Sequence, residues 1–460
     1  MVTPASKLLL RLPADMPPSF NIAIVAHYFP PINSSGAKRF EAMTKYFARE
    51  GHRVAVFTTC KTGADGEFSE SIPNGVEVFE LGPLGRLKPS VQGEVAYEDM
   101  YATKPSLKRR IKGWSMDLLG QLPDPRLPFA LAFSYPWLDR SVCARLRECD
   151  VVIGTCPPWP MLLGALVISR RFGPKAILDY RDPFSDCHEM PGGRMAKAIE
   201  RTVDRLLARR AAAVVAISEP IAMYYRHFHD EVSVIMNGYD HEVVEAAERD
   251  RAWATRATDS PVIVRYMGLV SPGRVPHRLL EALVDKVSRD PWFADKVRFE
   301  YYGPGDVMHA ALAAKYPTIA GMFAFYANVP YRRALGLAIT ADYLLFCETS
   351  QAHNLSAQGI LTTKLFEYIA TGRPIIAEIH VRTLAGSLIR QANEDHLVTT
   401  SGEDFKKLLS SAVFLSPRES RQSAIAPSLS RQFAAHQYLG LIERVIAPAP
   451  AISSQEFSHG

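Results

Sequence analysis

The sequence predicts an α/β protein made of two doubly wound domains that face a central cleft. Three observations lead there. The chain of 460 residues is longer than one hydrophobic core usually serves. Short, continuous apolar runs alternate with helical periodicity from residue 21 onward. After a polar stretch at 245–260 the same alternation starts again, as expected for a second parallel sheet.

The run at 21–26, NIAIVA, has the length and composition of a strand buried on both faces. A loop rich in Pro, Ser and Gly follows, HYFPPINSSGAKR. A helical pattern then runs through Phe40, Met43, Tyr46 and Phe47 and stops before Gly51, and RVAVFTT supplies a second strand. This is a βαβ unit with a right-handed crossover. The pattern recurs as a strand at 150–154, a helix over 161–171, a strand at 176–180, a long helix near 196–210 and a strand at 213–217. Between about 82 and 140 it breaks into Pro-rich, basic and aromatic sequence, read as an insertion on the cleft side. In the second half, strands are expected at 262–267, 297–302, 323–325, 343–346 and 374–376. The expected organisation is a first domain over 20–240, a second over 241–425, a helix at 426–445 returning to the first domain, and a disordered tail at 446–460. Asn237-Gly238 reads as a turn and hinge, because Asn-Gly readily adopts positive φ.

Composition narrows the class. With 47% hydrophobic and 22% charged residues, the chain is neither disordered nor fibrous. The six cysteines form no C-x-x-C pair, which points to reduced thiols and a cytoplasmic protein. Leu8 to Leu10 is too short for a signal-peptide core, and no apolar run reaches the ~18 residues that span a bilayer. Any membrane contact is therefore expected to be peripheral. The net charge is +5, partly concentrated in Lys104, Lys108, Arg109, Arg110 and Lys112 beside Trp114. A helix is expected over 106–120, with Ile111, Trp114, Leu118 and Leu119 on its apolar face. Its basic face is either simply solvated or drawn to an anionic membrane surface. No nucleic-acid motif accompanies it.

Two facing doubly wound domains gather strand ends and helix amino termini around one cleft, which suits a phosphorylated ligand. The helix start after Ser34, Ser35 and Gly36 offers free N–H groups and a positive dipole end, although such a loop is also commonly structural. In TTKLFEYIATGRPII, Lys364 and Glu367 stand three positions apart on a helix. The lysine can neutralise phosphate and the carboxylate can accept from two ribose hydroxyls; spacing alone equally fits a solvated ion pair. His27, at the end of the first strand, reads either as a hydrogen-bond donor to substrate or as a strand-end cap. His188 follows RDPFSD and reads as a sugar contact. Arg181 and Asp182 lie just past a strand end; Asp182 either faces the cleft or is held by a charge-assisted bond. No Asp-x-Asp and no histidine cluster has metal-ligand spacing, so the sequence calls for no divalent ion.

Taken in order, these segments resemble the family 4 glycosyltransferases. HYFPPINSSGAKR and REGHRVAVFTT resemble that family's opening loop and second strand. GTCPPWP and LDYRDPFSD resemble its middle signatures, VVAISEPIAMYY with VIMNGYD its entry to the second domain, and TTKLFEYIATGRPII its donor-binding helix. The resemblance implies the GT-B fold of two Rossmann-like domains and a nucleotide diphosphate sugar as co-substrate, with no cofactor or metal. The acceptor would be a polysaccharide or lipid-linked glycan at the inner face of the cytoplasmic membrane, and transfer would retain anomeric configuration. It assigns Glu367 to the donor ribose, with Leu365 on the same motif, and Lys364 and Arg274 to the diphosphate. Gly36 and Gly268 would approach the donor, and Val329 and Tyr331 would flank the base. Arg274, Lys364, Asp182 and His27 become the catalytic candidates; Ser35, Arg181 and His188 are acceptor or sugar contacts.

Two positions depart from the family pattern. Many members carry a glutamate eight positions before the one matched by Glu367, where this chain has Gly359. The arginine that usually follows the glycine is replaced by Leu269. These departures keep two other readings open: a catalytically degenerate binding or scaffold protein, and a nucleotide-sugar epimerase on the same fold.

Overall fold

A computed structural model of the chain describes residues 19–32, 34–62, 65, 68, 70–91, 119–185, 187, 192–250, 260–348, 358–416 and 420–447. The helix expected at 106–120 lies almost wholly outside the described residues, as do His188 and the tail from 448.

The first sheet contains β1 (Asn21–Ala26), β2 (Arg53–Thr59), β3 (Val76–Leu81), β4 (Val151–Cys156), β5 (Lys175–Tyr180), β6 (Ala213–Ala216) and β7 (Val232–Val234). Its order is β3-β2-β1-β4-β5-β6-β7. The second contains β8 (Val262–Met267), β9 (Val297–Tyr302), β10 (Phe323–Tyr326), β11 (Tyr343–Cys347), β12 (Ile375–Glu378) and β13 (Leu397–Thr399), ordered β10-β9-β8-β11-β12-β13. Every neighbouring pair is parallel. Winding reverses at β1, where Ile22 pairs with both Val54 and Val151. It reverses again at β8, where Val264 pairs with Phe299 and Tyr343. Loops diverge at such points and leave a crevice at the strands' carboxyl ends. The two sheets thus carry two crevices.

Strands β3, β7 and β13 are additions to the sequence reading. All three are sheet edges. An edge strand is covered incompletely, so it needs no continuous apolar run; VEVFEL in β3 alternates glutamate with apolar residues instead.

The helices that position the site are α1 (Ser35–Arg49), α2 (Pro160–Phe172), α3 (Arg194–Ala208), α4 (Glu219–Arg226), α5 (Tyr331–Ile339), α6 (Thr363–Thr371) and α7 (Arg431–Ile446). On one face of the first sheet Phe40 and Phe47 of α1 meet Ala434, Tyr438 and Leu441 of α7 over Ile22, Ile24 and Val56. On the other, Met161 and Leu162 of α2 pack with Val25, Phe57 and Leu178. The last helix therefore completes the core of the first domain. Arg39 of α1 donates to Asp179 at 2.8 Å and to the Ile235 carbonyl at 2.9 Å, and the Tyr438 hydroxyl donates to the same Asp179 carboxylate. A charge pair this deeply buried is tolerated when its donors are satisfied.

The chain passes between domains twice, and the two crossings are bonded to each other. Tyr239 N–H donates to the Leu429 carbonyl at 3.2 Å, and Arg431 N–H to the Tyr239 carbonyl at 2.9 Å. Gly238 does not have the positive φ expected for it. Glycine is needed there for clearance, because a Cβ would stand 2.6 Å from the Leu429 carbonyl oxygen.

Candidate functional site

On the first domain, α1 starts at the carboxyl end of β1, with the Ser34 hydroxyl accepting from Ala37 N–H at 3.2 Å. The free N–H groups of its first turn lie at the switch point. Beside them His27 is buried; its Nδ1 is 2.7 Å from the Thr59 hydroxyl and its Nε2 3.6 Å from Asp65. Burial above all, then the field of Arg126, holds its pKa down at about 3. His27 is therefore a neutral hydrogen-bonding group at ordinary pH.

On the second domain, α6 starts beside the crevice of the other sheet. Lys364 donates to the Tyr266 hydroxyl at 2.7 Å, and that hydroxyl donates to the Leu269 carbonyl at 3.0 Å. One turn on, the Tyr368 hydroxyl accepts from Met267 N–H at 2.8 Å. The helix is thus tied twice to the end of β8, where Gly268 has φ 103° and a turn that only glycine adopts readily. Arg274 pairs through Nε with Glu348, a buried carboxylate just beyond β11. Burial lowers the Lys364 pKa to about 8, with Glu348 opposing the shift and Arg274 adding to it. Glu367 accepts from the Tyr331 hydroxyl of α5 at 2.8 Å. Burial raises its pKa, and the positive field of Arg431 is the largest opposing influence. The Lys38 ammonium of α1 lies 5.2 Å from the Tyr331 ring centroid, so the two domains meet at this pair. At the carboxyl ends of β9 and β10 a cavity of about 420 Å³ is lined by residues including Gly303, Asp306, Phe325 and Asn328. Val329 follows directly in the chain. Among the described residues no cluster of three or more His, Cys, Asp or Glu could hold a metal, and no helix is long and apolar enough to cross a membrane.

Residues 36–238 match the family model described as a glycosyl transferase 4-like domain. The chain as a whole has the GT-B fold, two parallel α/β sheets of seven and six strands. It is similar to sucrose-phosphate synthase from Thermosynechococcus elongatus at 15% identity and TM-score 0.56, over 93% of this chain and 99% of that one. It is also similar to an alpha,alpha-trehalose-phosphate synthase (UDP-forming) from Burkholderia vietnamiensis, at 11% identity and TM-score 0.58, over 94% and 100%. No curated protein matches the chain.

Within the glycosyl transferase 4-like domain, Gly36 stands where sequence reasoning placed it, opening α1. A Cβ there would come 2.9 Å from Arg181. Arg181 differs from its expected cleft-facing role. It is buried, its two terminal nitrogens donate to the Gly36 and Pro157 carbonyls, and its guanidinium lies 5.5 Å from the Tyr28 ring centroid. It ties the start of α1 to the loop after β4. Asp182 is half-buried beside it. Ser35 is the first residue of α1; only its backbone is described.

Beyond that domain, the structure brings Arg274, Lys364 and Gly268 together at one end of β8, and Leu365, behind them, is a core residue. The solvated Lys364–Glu367 ion pair does not form: each has a different partner on a different element. Tyr331 is engaged with Glu367, and Val329 is half-buried on the adjoining loop. Sequence reasoning missed Glu348 and Arg431. The available signal for Glu348 was one acidic residue ending the apolar run YLLFC; Arg431 had none, since its partners are far away in the chain.

Proposed function

We propose that the chain transfers a sugar from a nucleotide diphosphate sugar to a hydroxyl of a glycan or lipid-linked acceptor, with retained anomeric configuration and without a metal ion. The observation that carries this reading is α6, which puts a carboxylate, Glu367, and an ammonium, Lys364, one turn apart on separate, fixed partners. The carboxylate suits two ribose hydroxyls. Lys364 and Arg274 suit the diphosphate, and the α1 amino terminus at Gly36 adds N–H donors from the opposite wall. The base would lie against Val329 and the neighbouring cavity, with Phe325 offering a face and Asn328 an amide.

In the reaction, the bond from the anomeric carbon to the diphosphate oxygen breaks and a bond to the acceptor oxygen forms. The hydroxyl proton leaves with the departing diphosphate. Arg274 and Lys364 would stabilise the charge that develops there, and closure of the domains would exclude water. His27, neutral, would orient the acceptor sugar, with Asp182, just past the end of β5, as a second contact. The protein would work in the cytoplasm, at the inner face of the membrane.

One observation favours a second reading, a binding protein without turnover. A Cβ at Gly359 would lie 2.6 Å from the Ser218 hydroxyl ahead of α4 and 2.8 Å from Ile221, so the position of the missing glutamate is filled by the first domain. The test is a thermal-shift screen against UDP, GDP, ADP and their sugar conjugates, with and without magnesium. Stabilisation by one class, independent of magnesium and lost in Glu367→Ala, is expected. Unchanged donor affinity in that variant overturns the assignment. Binding without turnover on any acceptor favours the second reading, and product from donor alone would make the protein an epimerase.

A further inference from the structure

Helix α3, RMAKAIERTVDRLLA, contains two acidic residues, and both are buried. Glu200 accepts from Lys197 at 2.9 Å and from Gln121 N–H at 2.6 Å. Asp204 accepts from the Ser185 hydroxyl at 2.9 Å and from the Tyr225 hydroxyl at 3.2 Å. Apart from Thr202, what the helix and its immediate extension leave exposed is cationic or apolar. Arg194, Arg201, Arg205, Arg209 and Arg210 are all exposed. Met195, Ile199 and Leu206 are exposed at 59%, 40% and 46%.

Projected at about 100° per residue, Met195, Leu206 and Ile199 fall within a sector about 40° wide. Arg194, Arg201, Arg205 and Arg209 flank that ridge on one side and Arg210 on the other. No ion pair to a carboxylate engages Arg194, Arg205, Arg209 or Arg210 among the described residues. An ordinary solvated helix intersperses both signs of charge on its outer face. Here the negative charges are used inward and the outer face is left positive, with a ridge of large apolar side chains.

We infer that the outer face of α3 docks on an anionic lipid surface. The arginines match the charge of the headgroups, and Met195, Ile199 and Leu206 reach the boundary with the acyl chains. The apolar ridge favours lipid over nucleic acid, to which such side chains offer no hydrogen bond. The position of the helix gives docking a purpose. α3 begins shortly after the loop that leaves β5 at Arg181 and Asp182, so its amino-terminal end lies on the cleft side of the sheet. A lipid-linked acceptor held in the same surface would meet the cleft mouth. That consequence rests on the transfer reading above, whereas the docking itself does not.

The experiment is co-sedimentation of the full chain with vesicles of phosphatidylcholine and phosphatidylglycerol in equal parts, against vesicles of phosphatidylcholine alone. Binding is expected to the anionic vesicles only, and to weaken as salt is raised. The double variant Arg194→Gln/Arg209→Gln and, separately, Met195→Ser/Leu206→Ser should each lower the partition coefficient about tenfold. Both should melt as the wild type does and keep its thermal shift with nucleotide. Failure of the wild type to sediment with anionic vesicles overturns the inference, as does wild-type binding by both variants. So does retention of a single-stranded oligonucleotide with no binding to vesicles. A wild type that docks but shows no nucleotide shift would refute the transfer reading and leave the docking surface standing.

Discussion

Tyr331 and Glu367, on different helices of the second domain, share a hydrogen bond of 2.8 Å beneath the ammonium of Lys38 from the first. The phenol fixes one carboxylate oxygen and leaves the other for a ligand. Tyr331→Phe should therefore keep the fold and weaken nucleotide binding about 5–30-fold, the loss of one hydrogen bond to a charged group or a little less. Isothermal titration with the nucleotide identified in the thermal screen measures it. An unchanged Kd would mean that Glu367 is not a ligand-holding group.

Lys364 gives a pH dependence with a definite sign. Its folded pKa of about 8 lies below the ordinary 10.5. In the unliganded protein the ammonium is present below about pH 8 and lost above it. Donor affinity should fall as pH rises past that point, by up to about tenfold per unit. Lys364→Arg should flatten the profile, since a guanidinium keeps its charge. The stability of the unliganded protein runs the other way: the unfolded chain holds the proton up to 10.5, so this site adds stability as pH rises from about 8 towards that value. Titration calorimetry and urea melts across this range check both slopes.

Gly238→Ala should destabilise the protein by about 1–3 kcal/mol, because the new methyl meets the return crossing at Leu429 and Arg431. Chemical denaturation reads the loss. A neutral result would show that the two crossings separate freely.

Asp179→Ala leaves the Arg39 guanidinium and the Tyr438 hydroxyl buried without their shared acceptor. A cost of about 3–5 kcal/mol is expected, with nucleotide affinity unchanged wherever the variant is folded. Thermal melts with and without nucleotide separate the two effects.

Much of the fold was legible in the sequence because buried parallel strands are continuous apolar runs, and NIAIVA or YLLFC can be little else. Strands β3, β7 and β13 were not, since edge positions relax that demand. In the candidate site, Lys364 and Glu367 could be read from one short helix, but their partners could not. Tyr266 lies 98 positions before Lys364, and Tyr331 36 before Glu367; neither is marked by local periodicity. Gly238 shows the same limit. Asn-Gly suggested a backbone angle, while the true constraint is a second chain segment packed against it. Arg181 was expected at the cleft because it follows a strand end, yet its hydrogen bonds to Gly36 and Pro157 could be found only in three dimensions.

Helix α7 lends its Ala434, Tyr438 and Leu441 to a core whose other members include Ile22 and Phe40. During synthesis the amino-terminal half must therefore wait, with the α7 side of its sheet uncovered, until residues 431–446 have been made and have left the ribosome. The second domain, continuous in sequence, has all its strands in hand earlier. The order of birth and the order of completion are reversed in this chain, and a chain truncated before residue 431 would hold an unfinished first domain beside a second whose strands are all present.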